Sequence, residues 1–431
     1  MSTSLFGQSS VFGEINTTAN ANSIIRAWGN QFIIYAEDNN GSGFFHLLTG
    51  TTNGSTVLTA DIPPDMIVND FKVLDDRVFF VGNGPDEGNG SKAREAIAGS
   101  FSIHELFYSG GAISYVKFHN KKYSAVSLSR AEVYSFDGVV HIIAVGDLKE
   151  NNNPFTAVFD ILYPFSLNSY KFVSSGNSYG EGVFFDLALT NNYVVSVARK
   201  WPLYDLTGSG YIMMRPFRRN GDPLSSTSGA NLYTTDGYIY PNGIMAATGL
   251  EGDFFAISYC EPGITATAQG IGILQVNSSG SILPVLFKHT GNNLSNSNYY
   301  TFKDMVYNVP TELLCDIGNG NTSGNNLVGV YSTTGTSDSR FYHPNININS
   351  ICTLTSDNFA ACGETLTSTL GIILQNLPIH STCAAVRGET MSQIYPSLIY
   401  GTGITVDDGK TPDFTHSPTI TTNYFIVNCS K

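Results

Sequence analysis

Short apolar runs separated by polar, turn-rich loops make up almost the whole chain, and the runs are rich in β-branched and aromatic residues. Such runs read as β-strands, because those side chains pack well on a pleated, half-buried surface. Seven times the same two-part phrase recurs. An apolar run ends on a small residue, a loop follows, and a second run opens on Gly or Ala. The clearest copies are Val78-Phe79-Phe80-Val81-Gly82 with Gly99-Ser100-Phe101, and Leu313-Leu314-Cys315-Asp316-Ile317-Gly318 with Gly329-Val330-Tyr331. The others pair residues 32–36 with 43–45, 142–146 with 157–159, 193–198 with 210–212, 254–258 with 272–274, and 359–363 with 371–373. The residues that open the second runs fall at 43, 99, 157, 210, 272, 329 and 371, so the period is 42 to 62 residues.

An all-strand repeat of that length implies a radial array of small sheets. The expected architecture is all-β: one seven-bladed β-propeller over residues 1–431, with blades of four antiparallel strands. Its repeat cores lie near 32–48, 78–103, 139–161, 193–215, 254–276, 313–332 and 359–375. The quoted pairs would be the two central strands of each blade, with the small residues permitting close approach near the axis. Asp137-Gly138, Asp236-Gly237 and Asn242-Gly243 read as tight turns between strands. Helical periodicity is confined to residues 91–100, which contain Lys92, Ala93, Arg94, Glu95 and Ala96. The last apolar run, residues 423–429, lies far beyond the seventh pair. It is expected to join strands near the N-terminus, so that the two termini close one blade and leave no open edge.

The second repeat carries a family resemblance. Its run from Asn69-Asp70-Phe71-Lys72-Val73-Leu74-Asp75-Asp76-Arg77 into Val78-Phe79-Phe80-Val81-Gly82 resembles the repeat of bacterial surface and secreted β-propellers. The likeness extends from Phe32 to about Gln375 and is loosest in the fourth and fifth repeats. It implies the fold, and it carries no catalytic residue across, because such propellers serve as adhesins, lectins, scaffolds and enzymes.

Composition narrows the partners. A net charge of −13 and only 22 Lys plus Arg argue against nucleic acid, which requires clustered cations. No apolar stretch is long enough to span a membrane as a helix, and residues 1–6 show neither a charged nor an apolar leader region. With 43 Gly, 17 Pro and 13% charged residues, the chain has the make-up of an extracellular or cell-surface β protein. A mature form or a leaderless route, including a subunit of a phage or secreted particle, fits that start. Of the six cysteines, Cys315 and Cys362 sit inside apolar runs as small hydrophobes. Cys352 with Cys362, and Cys383 with Cys429, are candidate disulfides.

Catalytic motifs fail in turn. There is no sialidase Asp-box, no zinc-type histidine or cysteine spacing and no phosphate-binding Gly loop, and Gly176-Asn177-Ser178-Tyr179-Gly180 leads into another strand. Asp38-Asn39-Asn40-Gly41-Ser42 offers oxygen ligands for calcium, but Thr49 stands where a calcium loop needs its bidentate acid, so no cofactor is expected. Asp70, Asp137, Asp186, Asp253 and Asp304 recur ahead of the central strands and read as turn caps bonded to backbone amides. The same acids at a propeller mouth would be the machinery of a carbohydrate-active enzyme, which is the alternative function. The preferred expectation is a non-enzymatic binding or scaffold protein that meets a protein or glycan on its loop face. Arg199, Lys200, Trp201, Tyr204 and Asp205 form the candidate contact, an aromatic platform beside charges.

Overall fold

A computed structural model describes residues 10–19, 22–84, 96–118, 126–150, 153–164, 170–174, 182–200, 211–219, 230–233, 246–262, 267–290, 300–320, 326–333, 338–342, 346–354, 358–376, 385–387, 391–393, 397–399, 405–408 and 413–430. After β1 (Ser10–Thr18) the chain runs through antiparallel four-stranded meanders. The first is β2 (Ser23–Trp28), β3 (Gln31–Glu37), β4 (Gly43–Leu48) and β5 (Thr56–Asp61). The second is β6 (Ile67–Leu74), β7 (Arg77–Asn83), β8 (Ala96–Ser102) and β9 (Ile113–Phe118), with helix α1 (Ile103–Ser109) before its last strand. The third is β10 (Val126–Phe136), β11 (Val139–Glu150), β12 (Asn153–Tyr163) and β13 (Tyr170–Ser174). The fourth is β14 (Gly182–Leu189), β15 (Tyr193–Lys200), β16 (Tyr211–Arg218) and β17 (Ala230–Tyr233). The fifth is β18 (Ala246–Gly249), β19 (Phe254–Pro262), β20 (Thr267–Val276) and β21 (Ile282–Thr290). The sixth is β22 (Tyr300–Asn308), β23 (Leu313–Gly320), β24 (Asn326–Ser332) and β25 (Asp338–Tyr342). The seventh, β26 (Ile346–Thr353), β27 (Asn358–Thr365) and β28 (Thr369–Asn376), takes β1 as its fourth strand.

Each of the seven sequence phrases is a pairing of the second and third strands of a meander, as expected. The first strands touch one another in chain order, from β2 with β6 through to β22 with β26, and β26 then touches β2. Apolar clusters fill the spaces between successive sheets. Phe45, Phe71, Phe80 and Phe101 pack between the first and second meanders, with Phe45 and Phe101 edge-to-face at 4.9 Å. Ile25, Phe32 and Ile34 of the first meander pack with Cys362, Ile372 and Leu374 of the seventh.

The small residues of the phrase have two local causes. A Cβ on Gly82 would lie 1.9 Å from the carbonyl oxygen of Ile67, at the register shift between Val68 and Asp70, so a bulge in the first strand demands glycine opposite it. A Cβ on Gly99 would meet the Phe80 ring at 2.2 Å, because that ring lies across the neighbouring strand. Close approach within each sheet, not crowding at the axis, explains the pattern.

The C-terminal segment departs from the expected four-stranded blades. Its strands β29 (Ala385–Arg387), β30 (Met391–Gln393), β31 (Ser397–Ile399), β32 (Thr405–Asp408) and β33 (Asp413–His416) pair with β25, β21, β17, β13 and β9 in that order. The segment thus runs back past the meanders in reverse and gives each sheet a fifth strand. Finally β34 (Ile420–Ser430) inserts between β5 and β1, merging the first and seventh meanders into one nine-stranded sheet. Residues 423–429 therefore do join strands near the N-terminus. Pairing along these outer strands satisfies backbone groups that an open edge would leave to water or to another chain.

Two further expectations are corrected. Of the helix expected at 91–100, residues 96–100 belong to buried strand β8, where sheet pairing overrides the helix preference of alanine, and 91–95 lie outside the described residues. The helix is α1, one turn later, with the Ser102 side chain accepting from the Glu105 amide and Gly110 at φ 71° ending it. Cys352 and Cys362 are free, buried thiols and not a disulfide, while Cys383 lies outside the described residues.

Candidate functional site

Bulges in five of the seven first strands each turn a side chain toward its neighbours across the ring. Register shifts fall between Val68 and Asp70, Leu128 and Arg130, Phe184 and Asp186, Phe302 and Asp304, and Ile348 and Ser350. The residue after the shift is charged or polar in each case. Sequence reading took all five acids as turn caps or acceptors of backbone amides. Asp70, Asp186 and Asp304 hold amides from bulges inside strands, whereas Asp137 and Asp253 sit in turns. Asp137 occupies a positive-φ turn at 49° before Gly138, and Asp253 accepts from Asn192 and Thr190 in a loop.

The three aspartates share one motif. Asp70 accepts from the Phe71 amide at 2.9 Å and from the Ala131 amide, on the next first strand, at 3.0 Å. Asp186 accepts from the Leu187 amide at 2.9 Å and the Ala247 amide at 2.8 Å. Asp304 accepts from the Met305 amide at 3.1 Å and the Ile351 amide at 3.2 Å. Each carboxylate thus stitches its own strand to the following one and satisfies two buried donors that a bulge leaves unpaired.

Arg26 crosses between two of these stitches. Its guanidinium reaches Asp70 at 2.7 Å and Asp304 at 3.3 Å, donates to Ser350 Oγ at 2.8 Å and to the Phe71 carbonyl at 3.0 Å, and lies over the Phe71 ring. Burial alone would favour the neutral guanidine, but Asp70 and Asp304 outweigh it and raise its pKa. Burial likewise works to raise the Asp304 carboxyl, yet Arg26, Arg130 and Lys72 outweigh it and hold the group below its ordinary value. Asp186 has no such partner among the described residues. Burial pushes its carboxyl up to about 7, against the pull of Arg130.

These groups line a cavity of about 280 Å³ whose described walls come from all seven first strands. Lys72 and Glu132 pair across it at 2.7 Å, and Arg130 reaches over to the Lys303 carbonyl. The charged lining is Arg26, Lys72 and Arg130 against Asp70, Glu132, Asp186 and Asp304, with Ala247, Ile351 and Cys352 among the apolar walls. The Cys352 thiol is pushed up to about 12 by burial and is inert as a nucleophile. Sequence reasoning missed Arg26, Lys72, Arg130 and Glu132. The available signal was a charge inside an apolar strand run, which a buried face does not hold without a partner.

Arg199 and Lys200 end strand β15, and Trp201, Tyr204 and Asp205 lie outside the described residues. Asp38 accepts from the Asn40 and Ser42 amides, so its loop is an Asx turn. Among the described residues no group of three or more His, Cys, Asp or Glu is placed to hold a metal ion, and no helix is long and apolar enough to cross a membrane.

No family model matches the chain, and no curated protein matches it. Among solved structures it is similar to one titled "Crystal structure of polysaccharide lyase Uly1", with a TM-score of 0.48 and 9% sequence identity, over 84% of this chain and 91% of that one.

Proposed function

We propose that the chain is a seven-bladed β-propeller of the surface or secreted type, and that it works as a binding protein whose axial cavity seats one unit of a hydroxyl-rich ligand, a saccharide. Seven meanders, first strands in cyclic contact and a closing strand β34 support the architecture. One observation carries the function: seven ionisable side chains of both signs converge on a single cavity from strands that share no local sequence. A lining of interleaved donors and acceptors suits a ligand that both gives and takes hydrogen bonds, which a sugar hydroxyl does. Binding is favoured over catalysis because the acids are already committed. Asp70 and Asp304 each hold two amides and Arg26, and Glu132 holds Lys72, whereas a glycosidase needs carboxyls free to pass a proton. A low fraction of charged residues and a turn-rich composition support a location at a cell or particle surface.

A second reading rests on Asp186, the one acid in the cavity with a raised pKa. In that reading it donates a proton to a glycosidic oxygen and the protein is a carbohydrate-active enzyme. Calorimetric titration with an oligosaccharide panel, followed by chromatography of the incubated sugars, separates the two. The binding reading expects one saturable site per chain, weakened at least about tenfold in Arg130→Met, with the sugars recovered intact. Shortened or unsaturated products would replace it with the enzyme reading, and silence across the panel would remove both.

A further inference from the structure

Three aspartates occupy equivalent places, and their surroundings differ in one respect. Asp70 accepts three hydrogen bonds: two from amides and one from Arg26. Asp304 accepts four: two from amides, one from Ser350 and one from Arg26. Asp186 accepts two, both from amides, although a carboxylate offers about four lone-pair sites. Asp186 is only 7% exposed, and its carboxyl lines the cavity. The charged groups that act on it are Arg130 on β10, Lys72 on β6 and Asp304 on β22, none within ion-pair distance among the described residues. Strand β18, packed on its other side, is Ala246–Gly249 and carries no ionisable residue.

The charges do not cancel. Three cations, Arg26, Lys72 and Arg130, face four carboxylates, Asp70, Glu132, Asp186 and Asp304, so the lining holds one negative charge in excess. Arg26 with its two aspartates accounts for that excess and Lys72 pairs with Glu132, whereas Asp186 has no ion pair among the described residues. A buried carboxylate without a partner is costly, and it is neutralised by a proton or by an arriving cation.

We propose that the cavity takes a cationic ligand, an amino sugar, one of whose ammonium groups sits against Asp186 as Arg26 sits against Asp70 and Asp304. This rests on the saccharide reading above and names the class of sugar. The ammonium donates to the lone pairs that the Leu187 and Ala247 amides leave open, and the neighbouring hydroxyls meet Arg130 and the Lys72–Glu132 pair. A neutral sugar leaves Asp186 holding its proton.

Three β-1,4-linked trisaccharides test this by calorimetry at pH 6, which keeps the amines protonated: cellotriose, the glucosamine trimer and the N-acetylglucosamine trimer. They share one backbone and differ at the 2-position by hydroxyl, ammonium or acetamide. The glucosamine trimer is expected to bind roughly 10- to 100-fold more tightly than the other two, the range of one charge-assisted contact. Its binding should release a proton, read as a dependence of the heat on buffer ionisation, because Asp186 must ionise. In Asp186→Asn the three should bind alike. Cellotriose binding as tightly as the amine in the wild type would overturn the inference and leave the saccharide reading standing. If no trisaccharide binds, that reading falls. Ethanolamine against ethylene glycol, followed by thermal shift, then decides the cation preference without a sugar, and equal shifts would overturn it. The wild-type comparisons stand even if the Asn variant fails to fold.

Discussion

The two sides of the axial cavity use one local structure for different ends. Around β2, β6, β22 and β26, Arg26 gathers Asp70, Asp304 and Ser350 into a closed network in which every charge has a partner. Around β14 and β18 the same bulge and the same pair of amides hold Asp186, and no cation completes them. The comparison separates two jobs. The amide stitch is structural, since it appears at three of the five bulges that break the ladder between a first strand and its second, and each time it ties that strand to the next first strand. The missing cation is what differs, and it leaves a carboxyl whose charge state responds to whatever enters the cavity.

The sharpest way to break the contrast is to remove the clamp. Arg26→Met leaves Asp70 and Asp304 buried without their shared cation, and is expected to destabilise the fold by about 3–5 kcal/mol, read by denaturant or thermal unfolding. A smaller effect follows from Asp304→Asn, which turns an amide NH₂ toward donors from Ser350, Ile351 and Arg26 and should cost about 2–3 kcal/mol. Because the Asp304 pKa is held below its unfolded value, its contribution is present above about pH 4 and is lost as pH falls through its folded pKa, so the variant should lose least in acid.

Below about pH 4, where the carboxyl keeps its proton folded or unfolded, Asp186→Asn is expected to be the mildest, about 1–2 kcal/mol for one disturbed amide, with a pH dependence of opposite sign. The folded protein keeps the Asp186 proton up to about pH 7, whereas the unfolded chain gives it up near 3.8. Between those values the folded state binds more protons. Wild-type stability from this group therefore falls as pH rises, by at most about 1.4 kcal/mol per unit, and is flat above 7. His46 runs the other way: burial lowers its pKa to about 4, so its contribution grows as pH rises from about 4 to 6.5. The wild-type curve alone mixes the two groups. The difference between wild type and Asp186→Asn isolates Asp186, and a flat difference would erase the contrast between the two sides of the cavity.

The legible and illegible parts of this chain divide along physical lines. The seven strand pairs were readable because Gly82 and Gly99 answer to constraints inside one sheet, a bulge carbonyl and an aromatic ring, and such constraints recur in other copies, as at Gly363 and Gly272. The closing strand β34 was readable because it is long and apolar and stands apart from the last phrase. The fifth strands were not. Ala385–Arg387 and Met391–Gln393 are too short to show an alternation, and their partners lie far back along the chain. The cavity was half legible. Asp70, Asp186 and Asp304 stood out and were read as amide acceptors, which they are, but Arg26 and Asp304 are 278 positions apart, and only ring closure brings them together. The lack of a paired cation that sets Asp186 apart among the described residues is a property of that closure and of no local motif.

The most direct measurement is the titration of the Asp186 carboxyl itself, followed by carbon-13 NMR of labelled aspartate and assigned by loss of its signal in Asp186→Asn. The account predicts a midpoint near 7 for Asp186, with Asp304 ionising below the ordinary carboxylate range in the same spectra. A midpoint for Asp186 near 3.8, the value of an unperturbed aspartate, would mean that its charge is already compensated in the folded protein. That result would contradict the claim of an open cation position in the cavity.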